Sequence, residues 1–113
     1  AYAWQYGIDN LVTGVAQTDY SGYPDCREET IAALQTAIQL GMESSVTIHA
    51  PLRQLSKQQT VELARDLGCL DAMALTHTCY NGLRPPCGEC PACLLRARGF
   101  SQAGIEDPLI AAK

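Results

Sequence analysis

The sequence predicts an α/β domain with parallel strands, followed by a helical, metal-binding segment at its C-terminal end. Three observations carry this expectation. Two short strand-like runs flank a long helical pattern, a second capped helical pattern follows, and four of the six cysteines fall within residues 79–93. Strands joined by a helix-length crossover pair in parallel with a right-handed connection, and such units belong to sheets covered by helices. Two strands do not make a stable sheet of that kind alone, so further strands are expected from a longer protein.

The opening AYAWQYG reads as the last turns of a helix with Gly7 as its stop. A chain that starts at Ala1 inside a helix is expected to be the C-terminal part of a longer protein. Residues 9–15 (DNLVTGV) read as a short buried strand bounded by turn residues. A polar, Gly/Pro-containing loop at 17–24 (QTDYSGYP) follows. Asp25 is expected to cap the next helix, with Glu28 completing a capping box. Ile31, Leu34 and Ile38 recur on one helical face, and Gly41 marks the end. Residues 46–50 (VTIHA) alternate as a second strand, which Pro51 terminates.

A second helix is expected from Ser56, with Gln59 as capping-box partner, Val61, Ala64 and Leu67 facing inward, and Gly68 as the stop. The composition changes near residue 76. Residues 78–90 (TCYNGLRPPCGEC) are turn-rich, and 91–100 (PACLLRARGF) form a helix with Pro91 in its first turn. The last dozen residues hold a short helix at most.

Bulk properties exclude several function classes. The chain has 113 residues, 47% of them hydrophobic, which fits a small globular domain or part of one. Its net charge of −4 lacks the footprint of a nucleic-acid backbone binder, although Arg84, Arg96 and Arg98 gather near the cysteines. No apolar run approaches the roughly 18 residues of a membrane span, and no signal peptide is visible. With cysteines too closely spaced for good disulfide geometry and no export signal, the expected compartment is cytoplasmic.

The cysteine spacing is Cys79-x7-Cys87-x2-Cys90-x2-Cys93. Zinc prefers four tetrahedral ligands, thiolates suit it, and CxxC pairs converge two sulfurs on one ion through a tight turn. Gly88 permits the sharp backbone path, and Cys93 falls in the first helical turn, where the dipole favours a thiolate. Four sulfurs close the shell, so the expected role is structural. An iron–sulfur cluster, disulfides and free thiols remain alternatives. Cys69, after the Gly68 stop, is expected to be buried packing. Cys26 reads as an ordinary helix-start residue. His49 and His77 receive no role.

The run Thr18-Asp19-Tyr20-Ser21-Gly22-Tyr23-Pro24-Asp25-Cys26-Arg27 follows a strand directly, where open α/β sheets bind ligands. Tyr20 or Tyr23 can stack on a planar ring, Asp19 or Asp25 can accept ring N–H bonds, and Arg27 can meet a carboxylate bidentately. Each residue also has a plain structural use: Asp25 as a cap, Arg27 as a solvated cation, the tyrosines as packing. Lys57, one residue after the Ser56 cap, is a cation at the positive end of a helix. An anion such as phosphate there would turn a local cost into a gain, and a solvated surface lysine is the alternative.

GVAQTDYSGYPDCR, the later APL run ahead of Lys57, and TCYNG followed by CxxCxxC together resemble the 7-cyano-7-deazaguanine synthase family of queuosine biosynthesis, over nearly the whole chain. The resemblance implies an N-type ATP pyrophosphatase fold, a Rossmann-like parallel sheet of the adenine nucleotide alpha hydrolase type. Residues 1–75 would be the C-terminal half of the nucleotide-binding domain, and 76–113 the zinc-binding loop and C-terminal helix. It implies an ATP-dependent carbon–nitrogen ligase making 7-cyano-7-deazaguanine from 7-carboxy-7-deazaguanine and ammonia. Cys79, Cys87, Cys90 and Cys93 would hold structural zinc; Asp19, Tyr20, Tyr23, Asp25 and Arg27 the deazaguanine; Lys57 phosphates. ATP with Mg2+ would act in the full-length enzyme, whose expected partners are small molecules and a second copy in a homodimer, with no nucleic acid or membrane bound.

The family's Ser-Gly-Gly-x-Asp-Ser phosphate loop does not occur in these residues. The chain alone is therefore expected to be inactive and poorly stable. Two other readings compete. A tRNA-thiolating enzyme of the same fold would use its cysteines for redox chemistry, and a non-enzymatic zinc module would fold alone on zinc addition.

Overall fold

The computed structural model describes residues 1–16 and 23–111. They form a small α/β structure in two compact units, Ala1–Gln54 and Leu55–Lys113. In the first unit, helix α1 (Tyr2–Gln5) ends before Gly7, whose φ of +66° is the left-handed stop expected of a glycine there. Strand β1 (Asn10–Val12), helix α2 (Glu28–Gly41) and strand β2 (Thr47–His49) follow. The strands pair in parallel with Leu11 opposite Ile48, as the strand–helix–strand order requires.

Two expectations about this unit are corrected. Residues 9–15 do contain a strand, but it is short and not buried: Val12 is 74% exposed. Side chains alternate across a sheet. Among the described residues α2 packs on the sheet, beside Ile48, so Val12 and His49 point to the other face. Nor does Asp25 cap α2. Pro24–Cys26 form a 3-10 turn, and Arg27, in an extended conformation, becomes the N-cap without a side-chain bond. Proline fixes φ and starts that turn, and the Pro24 carbonyl accepts a 2.7 Å bond from the Thr30 hydroxyl. Asp25 is thereby held outside the helix, while Glu28 becomes its first residue and reaches Arg53 at 3.3 Å. Ile31 and Ile38 are half-buried as the periodicity suggests, whereas Leu34 is exposed.

Two glutamines decide how this sheet ends. Thr47 and His49 bond to the β1 side, through Asp9 and Thr13. Alternation turns the backbone groups of Val46 and Ile48 the other way. There the Ile48 N–H donates to Gln35 Oε1 at 2.7 Å, and Gln39 Nε2 donates to the Val46 carbonyl at 2.9 Å. These side chains, one turn apart on α2, occupy positions that a neighbouring strand would fill.

The second unit begins with α3 (Lys57–Asp66). The expected capping box is complete: Ser56 Oγ accepts from the Gln59 N–H at 3.1 Å, and Gln59 Oε1 accepts from the Ser56 N–H at 2.9 Å. Val61 and Ala64 are buried as expected, but Leu67 is 71% exposed. Leu67 is the C-cap, where the chain leaves the helix for Gly68 at φ +70°, so helical periodicity no longer places it. Cys69 is half-buried, with its thiol 3.4 Å from the Ala64 carbonyl. A 3-10 segment at Leu70–Leu75, absent from the sequence reading, leads into the turn-rich stretch. Helix α4 (Pro91–Ala103) starts with Pro91 at its first position and stops at Gly104, and α5 (Pro108–Ala111) closes the unit. Among the described residues no helix is long and apolar enough to cross a membrane.

Candidate metal centre

The turn-rich stretch folds into a sulfur cage. After Cys79 a tight turn brings the Gly82 N–H to the Cys79 carbonyl at 3.1 Å, with Gly82 at φ +68°. The second turn, CGEC, needs Gly88 at φ +77°, the sharp path that its glycine was expected to allow. Cys90 then serves as N-cap residue of α4, and Cys93 lies in the first turn of that helix. The four Sγ atoms lie within 4.8 Å of one another, and Cys79, Cys90 and Cys93 are buried. Cys87 and Cys93 are 3.9 Å apart.

These residues fit a single metal ion. A tetrahedral ion with metal–sulfur bonds of about 2.3 Å sets sulfur–sulfur edges of about 3.8 Å. The surrounding polar groups point donors at the sulfurs, as thiolates require. The Cys87 N–H lies 3.5 Å from Cys79 Sγ, the Cys90 N–H 3.3 Å from Cys87 Sγ, and Asn81 Nδ2 3.4 Å from Cys87 Sγ. The bond from the Cys87 backbone is the main reason the Cys79 thiol is lowered to about 6. Cys90 is also lowered, first by the Cys93 N–H. Burial pushes the Cys93 thiol up to about 12. Four thiolates this close, three of them in buried positions, would repel, and a cation at their centre removes the conflict.

A second set of contacts holds the cage from outside. Arg96 on α4 pairs with both carboxylate oxygens of Asp107, through Nε and, at 2.8 Å, through Nη2. It also donates to Thr76 Oγ1 at 2.7 Å and to the Met73 carbonyl at 3.0 Å, and its guanidinium lies 5.4 Å from the Phe100 ring centre. Burial alone would raise the Asp107 carboxyl. The hydrogen bonds from Arg96 and the Leu109 N–H, together with the Arg96 charge, outweigh it and leave the carboxyl below its ordinary value. In the sequence Arg96 stands out only as one of three arginines gathered near the cysteines, and Asp107 does not stand out at all. Arg96 is instead a neutralised tie between the segments on either side of the cage. Only the pattern of an arginine in α4 and an aspartate just beyond its Gly104 stop hinted at this.

The other expected site residues divide between the units. Asp19 and Tyr20 lie outside the described residues. Tyr23 is half-buried, while Asp25 and Arg27 are exposed on the turn that leads into α2. Beside that turn, a depression of about 190 Å³ lies between α2 and the end of β2, with Glu28, Gln35, Ile48 and Arg53 in its wall. Lys57 is the first residue of α3, in the second unit.

The family model described as queuosine biosynthesis protein QueC matches residues 1–104. Among curated proteins, the 7-cyano-7-deazaguanine synthase of Laribacter hongkongensis is 63% identical over 110 residues, covering 97% of this chain and 48% of that protein. The enzyme of the same name from Chromobacterium violaceum is 60% identical over 110 residues, covering 97% of this chain and 47% of that protein. That of Alkalilimnicola ehrlichii is 51% identical over 111 residues. The chain spans about half the length of the curated relatives it matches.

Proposed function

Because the chain belongs to the queuosine biosynthesis protein QueC family, we propose that its residues form the C-terminal half of an ATP-dependent ligase that converts 7-carboxy-7-deazaguanine and ammonia to 7-cyano-7-deazaguanine. The observation that carries this reading is the continuous family match through both the 19–27 run and the four-cysteine cage. In the whole enzyme β1 and β2 would belong to a Rossmann-like sheet of the adenine nucleotide alpha hydrolase type. Residues 1–75 would complete the nucleotide-binding domain, and 76–113 would carry the metal.

A carboxylate is a poor electrophile until it bears a good leaving group. Adenylation by ATP with Mg2+ would supply one and release pyrophosphate, ammonia would displace AMP to give the amide, and a second adenylation, on the amide oxygen, would let that oxygen leave on AMP as the nitrogen gives up its protons and the nitrile forms. In this scheme Asp19 or Asp25 accepts ring N–H bonds of the deazaguanine, Tyr20 or Tyr23 stacks on it, and Arg27 meets the carboxylate. Lys57, at a helix N-terminus, binds phosphate oxygens. The ion held by Cys79, Cys87, Cys90 and Cys93 is zinc, and its closed sulfur shell supplies structure rather than chemistry.

The test is an assay of the whole enzyme containing these residues, with ATP, ammonia and the carboxy-deazaguanine, read by mass spectrometry. The expected products are the nitrile and AMP, with no product from the 113 residues alone. No ATP-dependent nitrile from the whole enzyme, or nitrile from the short chain by itself, would overturn the reading.

A further inference from the structure

We infer that Gly99 is a positioning residue for Lys57. This rests on the phosphate-binding role proposed for that lysine. Gly99 lies in the interior of α4, where glycine is less favourable than alanine. It is absent from the residues with positive φ, so the backbone there gives no reason for a glycine. The reason lies across the helix contact. A Cβ built on Gly99 would stand 2.8 Å from the Lys57 Cβ, 3.2 Å from its carbonyl carbon and 3.3 Å from its carbonyl oxygen.

The contact falls on the backbone and first side-chain carbon of Lys57, not on a flexible tip that could swing away. Lys57 is also the first residue of α3, held on one side by the Ser56–Gln59 capping box. Bare α4 backbone at Gly99 therefore fixes the point from which the lysine side chain departs. Helix α4 is in turn anchored at its start by Cys90 and Cys93 and at Arg96 by Asp107. Cys93 and Gly99 are roughly 9 Å apart along the axis. The metal cage thus takes part in placing the phosphate lysine, although its own shell is closed.

Steady-state kinetics of the whole enzyme test this, with ATP and the carboxylate substrate varied separately. Gly99→Ala is expected to raise the KM for ATP about tenfold, with the KM for the carboxylate substrate and the zinc content unchanged. In Lys57→Gln the same ATP-specific rise is expected, and adding Gly99→Ala to it should have little further effect, because the group being positioned is gone. If Gly99→Ala yields no folded enzyme, Phe100→Leu decides by the same split, since it removes volume from a buried position next to Gly99 without adding atoms towards α3. Lower thermal stability with both KM values unchanged would overturn the inference. So would an ATP-specific rise in Lys57→Gln that neither α4 variant shares. An unchanged ATP KM in Lys57→Gln would overturn the phosphate reading itself, and the inference with it.

Discussion

The unit of α3, α4 and the cysteines and the unit of β1, α2 and β2 are held together in different ways. Among the described residues the first buries Val61, Ala64, Phe100 and three of the four cysteines, and it contains the nearly buried Arg96–Asp107 pair. The second buries only Ala3, Ala16, Val46 and Ala50, while Tyr2, Trp4, Tyr6 and Val12 are exposed. One is fastened at points, by a sulfur cage and an ion pair. The other relies on backbone pairing and a few side-chain bonds to that backbone, and among the described residues it buries nothing larger than valine; large apolar side chains are exposed in both, Leu75 and Tyr80 in the cysteine unit among them. Burial of apolar area drives folding at roughly 25 cal/mol per Å². The strand unit should therefore respond weakly to any single substitution and strongly to whatever covers it, and the cysteine unit should do the reverse.

Removing the metal gives the largest expected effect. Structural zinc contributes apparent free energies of about 10–16 kcal/mol in small zinc peptides at neutral pH. Chelation, or Cys90→Ser in the whole protein, should abolish stoichiometric metal binding and strip hydrogen-exchange protection from the amides of residues 79–93. Protection in α2 should change little. Equal loss in both units would show that they are not fastened differently after all.

Next comes the ion pair. The Arg96 and Asp107 side chains are only 11% and 10% exposed, so Asp107→Ala would strand a buried guanidinium at a cost of about 3–5 kcal/mol. The pair also predicts a pH dependence. Asp107 is lowered in the folded state. Its contribution is complete above the unfolded value of about 3.9 and is lost as pH falls through the lower folded value. Thermal unfolding of the wild type between neutral pH and pH 3 should lose stability below about pH 4, and Asp107→Asn should flatten that decline. A decline of equal slope in the variant would assign it to other carboxylates or to protonation of the metal-binding thiolates.

What could be read from the sequence follows the range of each interaction. The Ser56–Gln59 box and the cage span a few residues, and their spacing states their geometry. The parallel pairing of β1 and β2 follows from element order. Asp25 misled because Ser/Asp-x-x-Glu patterns are ambiguous when a proline beside them starts its own turn. Leu67 lies one residue past the last helical residue of α3, where helical periodicity no longer places a side chain. The Arg96 network joins α4 to Met73, Thr76 and Asp107, none of which repeats at a helical or strand period with it. Gly99 carried no signal beyond being a glycine where a helix would prefer alanine. Lys57 stands out in the sequence as a cation at a helix start, whereas nothing there links it to Gly99 across the helix contact.

The smallest effect should come from Gln35, and it probes the strand unit. Gln35→Ala removes the acceptor of the Ile48 N–H, and Gln39→Ala removes the donor to the Val46 carbonyl. Water can replace part of each bond, so each substitution should cost about 1 kcal/mol, well below Asp107→Ala. The combined variant has a second consequence. It uncovers an unpaired strand edge, the usual template for association between chains. In the whole protein, sedimentation should show concentration-dependent association beyond the wild-type oligomer in the double variant that is absent from either single one. If the double variant instead keeps its oligomeric state while losing more stability than Asp107→Ala, the glutamines are themselves a point attachment, and the two units are built on the same principle.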